Sequence, residues 1–145
     1  MISQAAEYSL RALICLARSP AASLTNQQIA DQTKIPAGYL AKIMQALTRA
    51  GLVSSQRGPN GGFLVTADPD RLTLLDVVRV TDPSHRIGTC PLGIHGPHLC
   101  SLHRRLDDAA AAVESVLERT TLAELLAEQE DPFVTIQIPA NEGKP

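Results

Sequence analysis

Residues 29–65 read IADQTKIPAGYLAKIMQALTRAGLVSSQRGPNGGFLV. A helical pattern ends near Thr33 and gives way to the break Lys34-Ile35-Pro36. A second pattern then sets Leu40, Ile43, Met44 and Leu47 on one face, the spacing of an amphipathic helix. Gly51 falls just past its last turn, where glycine can take the left-handed conformation that ends a helix. Residues 52–56 and 63–65 flank the tip Arg57-Gly58-Pro59-Asn60-Gly61-Gly62, which predicts two short strands around a glycine-rich turn. Two helices across a tight break, followed by a hairpin, make a winged helix-turn-helix. The expected fold is mainly α, with a two-stranded wing.

Working outward, Ser3 can cap a first helix reaching about Arg18, with Tyr8, Ala12, Leu13 and Leu16 on its apolar side, and Ser19-Pro20 ends it. Cys15, set among Leu13, Ile14 and Leu16, reads as a small buried hydrophobe. Thr25-Asn26-Gln27-Gln28 has the form of a capping box and starts the second helix. On the other side of the wing, Thr73-Leu74-Leu75-Asp76 caps a short fourth helix running through Val77, Val78 and Val80. After Asp82-Pro83 the composition shifts to RIGTCPLGIHGPHLC, in which no apolar period survives, so this stretch is a loop. Beyond it Leu102, Leu106, Ala109, Val113 and Val116 alternate spacings of four and three, a coiled-coil seam suited to packing against a second copy. Thr121-Leu122-Ala123-Glu124 is another capping box, opening a final short helix to about Gln129. The resulting division is 1–82 for the winged domain, 83–101 for the Cys/His loop and 102–130 for the dimerisation and final helices. Residues 131–145, rich in proline and polar groups, are expected to form a mobile tail.

At 145 residues and 44% apolar content, one compact domain with a dimerising extension is the natural expectation. Aromatics are 3%, so the core must be aliphatic. No apolar run approaches the ~20 residues of a membrane span, and the N-terminus carries no charged leader, which predicts a cytoplasmic protein. Three cysteines, an odd number, argue against a disulfide framework and leave metal or thiol chemistry open. The net charge of −2 hides an asymmetry: residues 1–66 carry six basic groups against Glu7 and Asp31, and the acidic excess lies in the remainder. The basic half can face phosphate while the acidic half faces away.

AGYLAKIMQALTRAGLVSSQRGPNGGFLV, and RGPNGG above all, resembles the DNA-binding part of the IscR/NsrR-type bacterial transcription regulators, and the likeness extends from Met1 to about Gln129. The resemblance implies a homodimer that binds a palindromic operator in double-stranded DNA. On the residues themselves, the start of the second helix at Thr25 offers backbone N–H groups to a phosphate. Gly38, Tyr39 and Lys42 lie on the leading face of a recognition helix. Arg57, with Gly58 and Pro59 shaping the turn, can enter a minor groove from the wing tip. Ala41 stands where one branch of the family carries a base-reading acid, so that branch's operator does not transfer.

The loop carries the chemistry. Cys90, Cys100 and His103 have the spacing C-x9-C-x2-H, with His95 and His98 between them. In cluster-binding members of the family, three Cys, sometimes with a His three residues after the last, hold an iron–sulfur cluster. Cys90 matches the first ligand, Cys100 the last Cys and His103 that His; the middle Cys is missing, its place falling near His95 or Gly96. Some relatives use an acid from the partner's first helix, at the position of Glu7. Three readings stand: a [2Fe-2S] site using Cys90, Cys100 and either His103 or Glu7; a zinc site or thiol switch; and a vestigial loop. The expected function is a dimeric, sequence-specific repressor responding to iron–sulfur or redox state. A winged-helix protein-interaction module is the rival. A Cys-His enzyme is disfavoured, because the loop offers no oxyanion site or carboxylate to orient a base.

Overall fold

Hydroxyl side chains set the helix starts. In a computed structural model that describes residues 2–128, Ser3, Thr25, Thr73 and Thr121 each accept a hydrogen bond from the backbone N–H three residues on. The last three are closed into reciprocal capping boxes by Gln28, Asp76 and Glu124. Each such cap is worth about 1 kcal/mol. They open α1 (Gln4–Ala17), α2 (Asn26–Thr33), α4 (Leu74–Thr81) and α6 (Leu122–Ala127). Helix α3 (Ala37–Arg49) and the long α5 (Ser101–Arg119) start without a side-chain cap, behind Pro36 and Cys100. The strands are β1 (Val53–Gln56) and β2 (Gly62–Val65). The chain is thus mainly helical with a two-stranded antiparallel wing and a long C-terminal helix, as the sequence predicts.

Two local devices turn the chain at the recognition helix. Lys34 takes a left-handed conformation (φ 60°) that ends α2 and aims the chain into α3. At the far end Gly51 (φ 77°) donates to Thr48 while Leu52 donates to Leu47, the paired bonds of a Schellman motif. The side chain of Asn26 donates to the Ala37 carbonyl at 2.9 Å and so ties the starts of α2 and α3 together.

The core is aliphatic. Leu13 and Leu16 of α1, Ile29 of α2, Leu40, Met44 and Leu47 of α3, and Val77 of α4 are fully buried. Leu122 of α6 joins them, so the chain returns to the winged domain after α5. Backbone bonds from Leu74 to Thr120, from Leu122 to Leu72 and from Ala123 to Pro69 fix that return. The tail expected at residues 131–145 lies outside the described residues.

The wing pairs in the register Val53↔Val65, Ser54↔Leu64, Ser55↔Phe63 and Gln56↔Gly62. A feature the sequence does not announce is a bridge between Leu24 and Phe63, which exchange both backbone bonds at 3.1 and 2.8 Å. It clamps β2 to the segment before α2 and fixes the wing against the helix-turn-helix. Gly62 makes this approach possible: its φ is 150°, and a Cβ there would stand 2.5 Å from the Leu24 carbonyl oxygen. Gly62→Ala should therefore destabilise the chain by about 1–3 kcal/mol, the usual cost of forcing an extra atom into a packed site. Gly88→Ala, whose Cβ would meet nothing within 4 Å, is the control. Equal urea midpoints for the two variants would show that the clamp contributes nothing.

Candidate nucleic-acid surface and Cys/His centre

On α3 the buried face of Leu40, Ile43, Met44 and Leu47 leaves Gly38, Tyr39, Ala41, Lys42, Gln45 and Arg49 outward. Arg57, Gly58 and Pro59 are exposed at the wing tip, and Thr25 is exposed at the start of α2. Tyr39 is held as well as displayed. Its ring meets Tyr8 of α1 edge-on, with centroids 5.5 Å apart and planes at 81°. The Arg11 guanidinium lies over the other ring of that pair, 5.2 Å from the Tyr8 centroid. Arg11 also donates to the Thr33 carbonyl and pairs with Glu7 at 2.6 Å. Glu7 is therefore engaged with Arg11, one turn along its own helix.

Helix α5 presents its apolar row to solvent. Within the chain Leu102 is 62% exposed, Leu106 50%, Val113 37% and Val116 56%, Ala109 is exposed with them, and no residue of the helix is buried. Polar ties run along the side of α5 that faces its own chain. Arg86 forms a two-pronged pair with Asp107 at 2.7 and 2.8 Å, and Asp107 also accepts from the Ile87 N–H. The Arg86 guanidinium and that N–H hold the Asp107 carboxyl at about 2, well below the usual carboxylate range. Glu114 accepts from Ser84 at 2.8 Å and faces Arg79 at 3.7 Å. Nearer the root of the loop, Asp82 is buried and accepts from the Ser3 N–H at 2.9 Å, while His85 approaches it at 2.8 Å. Burial alone would raise the Asp82 pKa, but the Ser3 N–H and His85 outweigh it and the net shift is downward. These ties run from the start of α1 through the loop root to the side of α5. Apart from the Asp82–His85 contact, they join residues twenty or more positions apart, which leave no periodic signal in the sequence.

The loop brings its sulfur and nitrogen donors together. Cys90 Sγ lies 3.6 Å from His103 Nδ1, and Cys100 Sγ lies 3.0 Å from the same nitrogen. The three ligand atoms all fall within 4.8 Å of one another, close enough to hold a metal ion. Cys100 sits at the N-cap of α5 and His103 in its first turn, so a helix start presents both toward Cys90. His95, which the spacing only placed between the cysteines, comes within 3.3 Å of Cys90 through Nδ1. Burial pushes the Cys90 thiol up, yet hydrogen bonds from the Leu92 N–H, His95 and Cys100 more than offset it and bring the thiol down to about 6. Cys15 is buried and within 3.3 Å of Gln32 Oε1, the placement expected of it.

Comparisons with known proteins bear on the same features. The family model of Rrf2, described as an iron-dependent transcriptional regulator, matches residues 2–128. The chain is 34% identical to the HTH-type transcriptional regulator NsrR of Bacillus subtilis, across 86% of this chain and 89% of that protein. It is 30% identical to the NsrR of Shouchella clausii, across 94% of this chain and 95% of that one. Among solved structures it is similar to CymR, the global cysteine regulator of B. subtilis, with a TM-score of 0.73 and 27% identity, covering 90% of this chain and 98% of that one. IscR of T. potens shares the fold, with a TM-score of 0.74 and 24% identity over 90% of this chain and 88% of its own.

A thiol at about 6 is a thiolate at neutral pH and a thiol below pH 6. Metal-free protein titrated by its thiolate ultraviolet absorbance should therefore show one ionisation near pH 6. Cys90→Ser should remove that step, and Cys15→Ser should leave it. A first thiol ionisation at the ordinary position above pH 8 would contradict the arrangement.

Proposed function

The chain belongs to the Rrf2 family of transcriptional regulators, and on that premise we propose that it is a dimeric, sequence-specific repressor whose operator affinity follows the state of its Cys/His centre. That it is a DNA-binding transcriptional regulator and not an enzyme goes with the family. The dimer, the contact residues and the signal are the finer part of the reading. Among the described residues, no helix is long and apolar enough to cross a membrane.

The observation that carries the proposal is the apolar row on α5. Leu102, Leu106, Ala109, Val113 and Val116 stand exposed on a helix with no fully buried residue in its own chain. Exposed singly, such residues are ordinary; aligned at heptad spacing they are the seam of a helix pair. Pairing two copies through α5 would carry two recognition helices, suited to half-sites about one helical turn apart (~34 Å). Lys42 and Arg49 then face phosphates from α3, Gly38 lets its backbone approach the duplex, Tyr39 stands beside it, Thr25 offers the start of α2, and Arg57 reaches into a minor groove with Gly58 and Pro59 shaping the tip.

The sensor reading rests on where the centre sits. Cys90 belongs to the loop, whereas Cys100 and His103 belong to the start of the dimer helix, so a bound metal would fasten one to the other. The family resemblance implies an iron–sulfur cluster here, with Glu7 of the first helix as a further ligand in some relatives. Two thiols and an imidazole are donors that iron and zinc both accept. Fastening the loop would bias α5 and, through Asp82 and Ser3, the start of α1. Tyr8 on α1 supports Tyr39 on α3. Occupancy changes DNA affinity only in so far as it favours one arrangement of these helices over another.

Fluorescence anisotropy on a palindromic operator tests the proposal. Affinity should fall steeply with salt, and Arg57→Ala should weaken it by about 1–3 kcal/mol with an unchanged circular dichroism spectrum. Leu106→Asp would place an unpaired charge in the seam and should abolish both dimerisation, read by sedimentation, and operator binding. A Leu106→Asp protein that stays dimeric would move the seam elsewhere. Equal affinity of the intact protein for operator and random DNA would remove the regulator reading altogether.

A further inference from the structure

The geometry points to a single tetrahedral metal ion of the zinc or ferrous class held by Cys90, Cys100 and His103, whose ligand atoms converge, and completed by His95 of the same chain, which stands 3.3 Å from Cys90 and swings in as the fourth ligand. This rests on the metal-centre part of the reading above and specifies what occupies that centre.

The distances carry it. Ligands sharing one tetrahedral ion, with metal–sulfur bonds of about 2.3 Å and metal–nitrogen bonds of about 2.0 Å, stand roughly 3.5 Å apart. Here the sulfur–nitrogen separations are 3.6 Å (Cys90 to His103), 3.0 Å (Cys100 to His103) and 3.3 Å (Cys90 to His95). A [2Fe-2S] cluster shares its ligands between two irons, so at least one of any three must stand across the cluster from the others. Cys90, Cys100 and His103 are all within 4.8 Å of one another. They fit one ion and do not fit a pair of bridged irons.

The loop is shaped for the fourth ligand. After Cys90 the chain turns at Gly93 (φ 69°), whose N–H donates to the Cys90 carbonyl, and again at Gly96 (φ 56°). The two turns fold His95 back over Cys90 from the solvent side. The result inverts ordinary burial: Leu92 and Ile94 are 59% and 75% exposed, whereas the Cys90 thiol is only 5% exposed. An apolar core does not organise this loop, because its apolar side chains point away from it. A metal ion at the focus of Cys90, Cys100 and His103, with His95 beside Cys90, supplies the missing centre, as in small metal-organised folds. His98 belongs to the same turn, with its N–H on the His95 carbonyl; among the described residues it is the His95 ring, not that of His98, that contacts a thiol. Glu7 is not needed to complete the set, and its carboxylate already pairs with Arg11.

The test uses the full chain. Protein purified without oxygen is assayed for metal and acid-labile sulfide, and metal-free protein is titrated with Co²⁺ as a spectroscopic probe. One metal per chain without sulfide, and one Co²⁺ giving the intense visible bands of a tetrahedral thiolate site, are expected. His95→Ala should weaken Co²⁺ binding by at least about tenfold and alter those bands, with an unchanged circular dichroism spectrum, while His98→Ala and Glu7→Ala bind as the parent does. Two irons and two sulfides per chain would overturn the inference, as would a His95→Ala protein with parental Co²⁺ affinity and spectrum. Operator affinity with and without the bound ion is measured separately. An indifferent affinity defeats the sensor reading and leaves the four-ligand site standing, whereas a responsive affinity in a protein carrying sulfide does the reverse.

Discussion

Helix α5 has no fully buried residue among its 19, and polar ties along its side, half-buried Ala110 and Leu117 lining a small cleft with Leu75 and Val78 of α4, and the anchors at its ends orient it. Asp107 grips Arg86 and the Ile87 N–H, Glu114 faces Ser84 and Arg79, and just past its C-terminus Leu122 drops into the core of the winged domain. An apolar interface is locked by close packing, but a helix held by exchangeable ion pairs can pivot at low cost. The Cys/His centre lies at the start of α5, which lacks a side-chain cap.

The same logic extends inward. Asp82 is a buried carboxylate at the junction of α4 and the loop, and it accepts the Ser3 N–H at the start of α1. From α1, Tyr8 and Arg11 reach the recognition helix and the end of α2 through Tyr39 and the Thr33 carbonyl. A displacement at the loop root therefore has a contiguous physical route to α3, through hydrogen bonds and ring contacts. A stiff aliphatic core lies beneath this route, with Leu13, Leu40 and Met44 fully buried.

Acid has a definite effect on these ties. Asp107, depressed to about 2 chiefly by Arg86, contributes stability that is present above the ordinary carboxylate pKa and lost as pH falls from about 4 toward 2. Asp82 behaves in the same direction, because its net shift is also downward. Loosening of α5 and of the loop root is thus an acid-side event. The Cys90 thiol, lowered to about 6, ionises well above these carboxylates.

Local chemistry was legible in the sequence wherever a few neighbouring residues decide the outcome. The hydroxyl caps at Ser3, Thr25, Thr73 and Thr121, the Gly51 terminator, the buried face of α3 and the hairpin around Arg57-Gly58-Pro59 each follow from short-range hydrogen bonding or from a 3.6-residue period. The exposed row on α5 followed from its heptad spacing in the same way. Cys90, Cys100 and His103 were legible as a set by their spacing, and the structure brings them within reach of one ion. Only tertiary structure decided the Leu24–Phe63 clamp, the Arg86–Asp107 pair, the Asp82–Ser3 tie and the return of His95 onto Cys90. The first three join residues 21 to 79 positions apart in the chain, where loop closure rather than local propensity sets the partners. His95 is only five residues from Cys90, but its approach depends on two glycines taking left-handed conformations in a stretch without periodicity. Sequence patterns encode what repeats along the chain; the chemistry of this centre comes from a path through space that does not repeat.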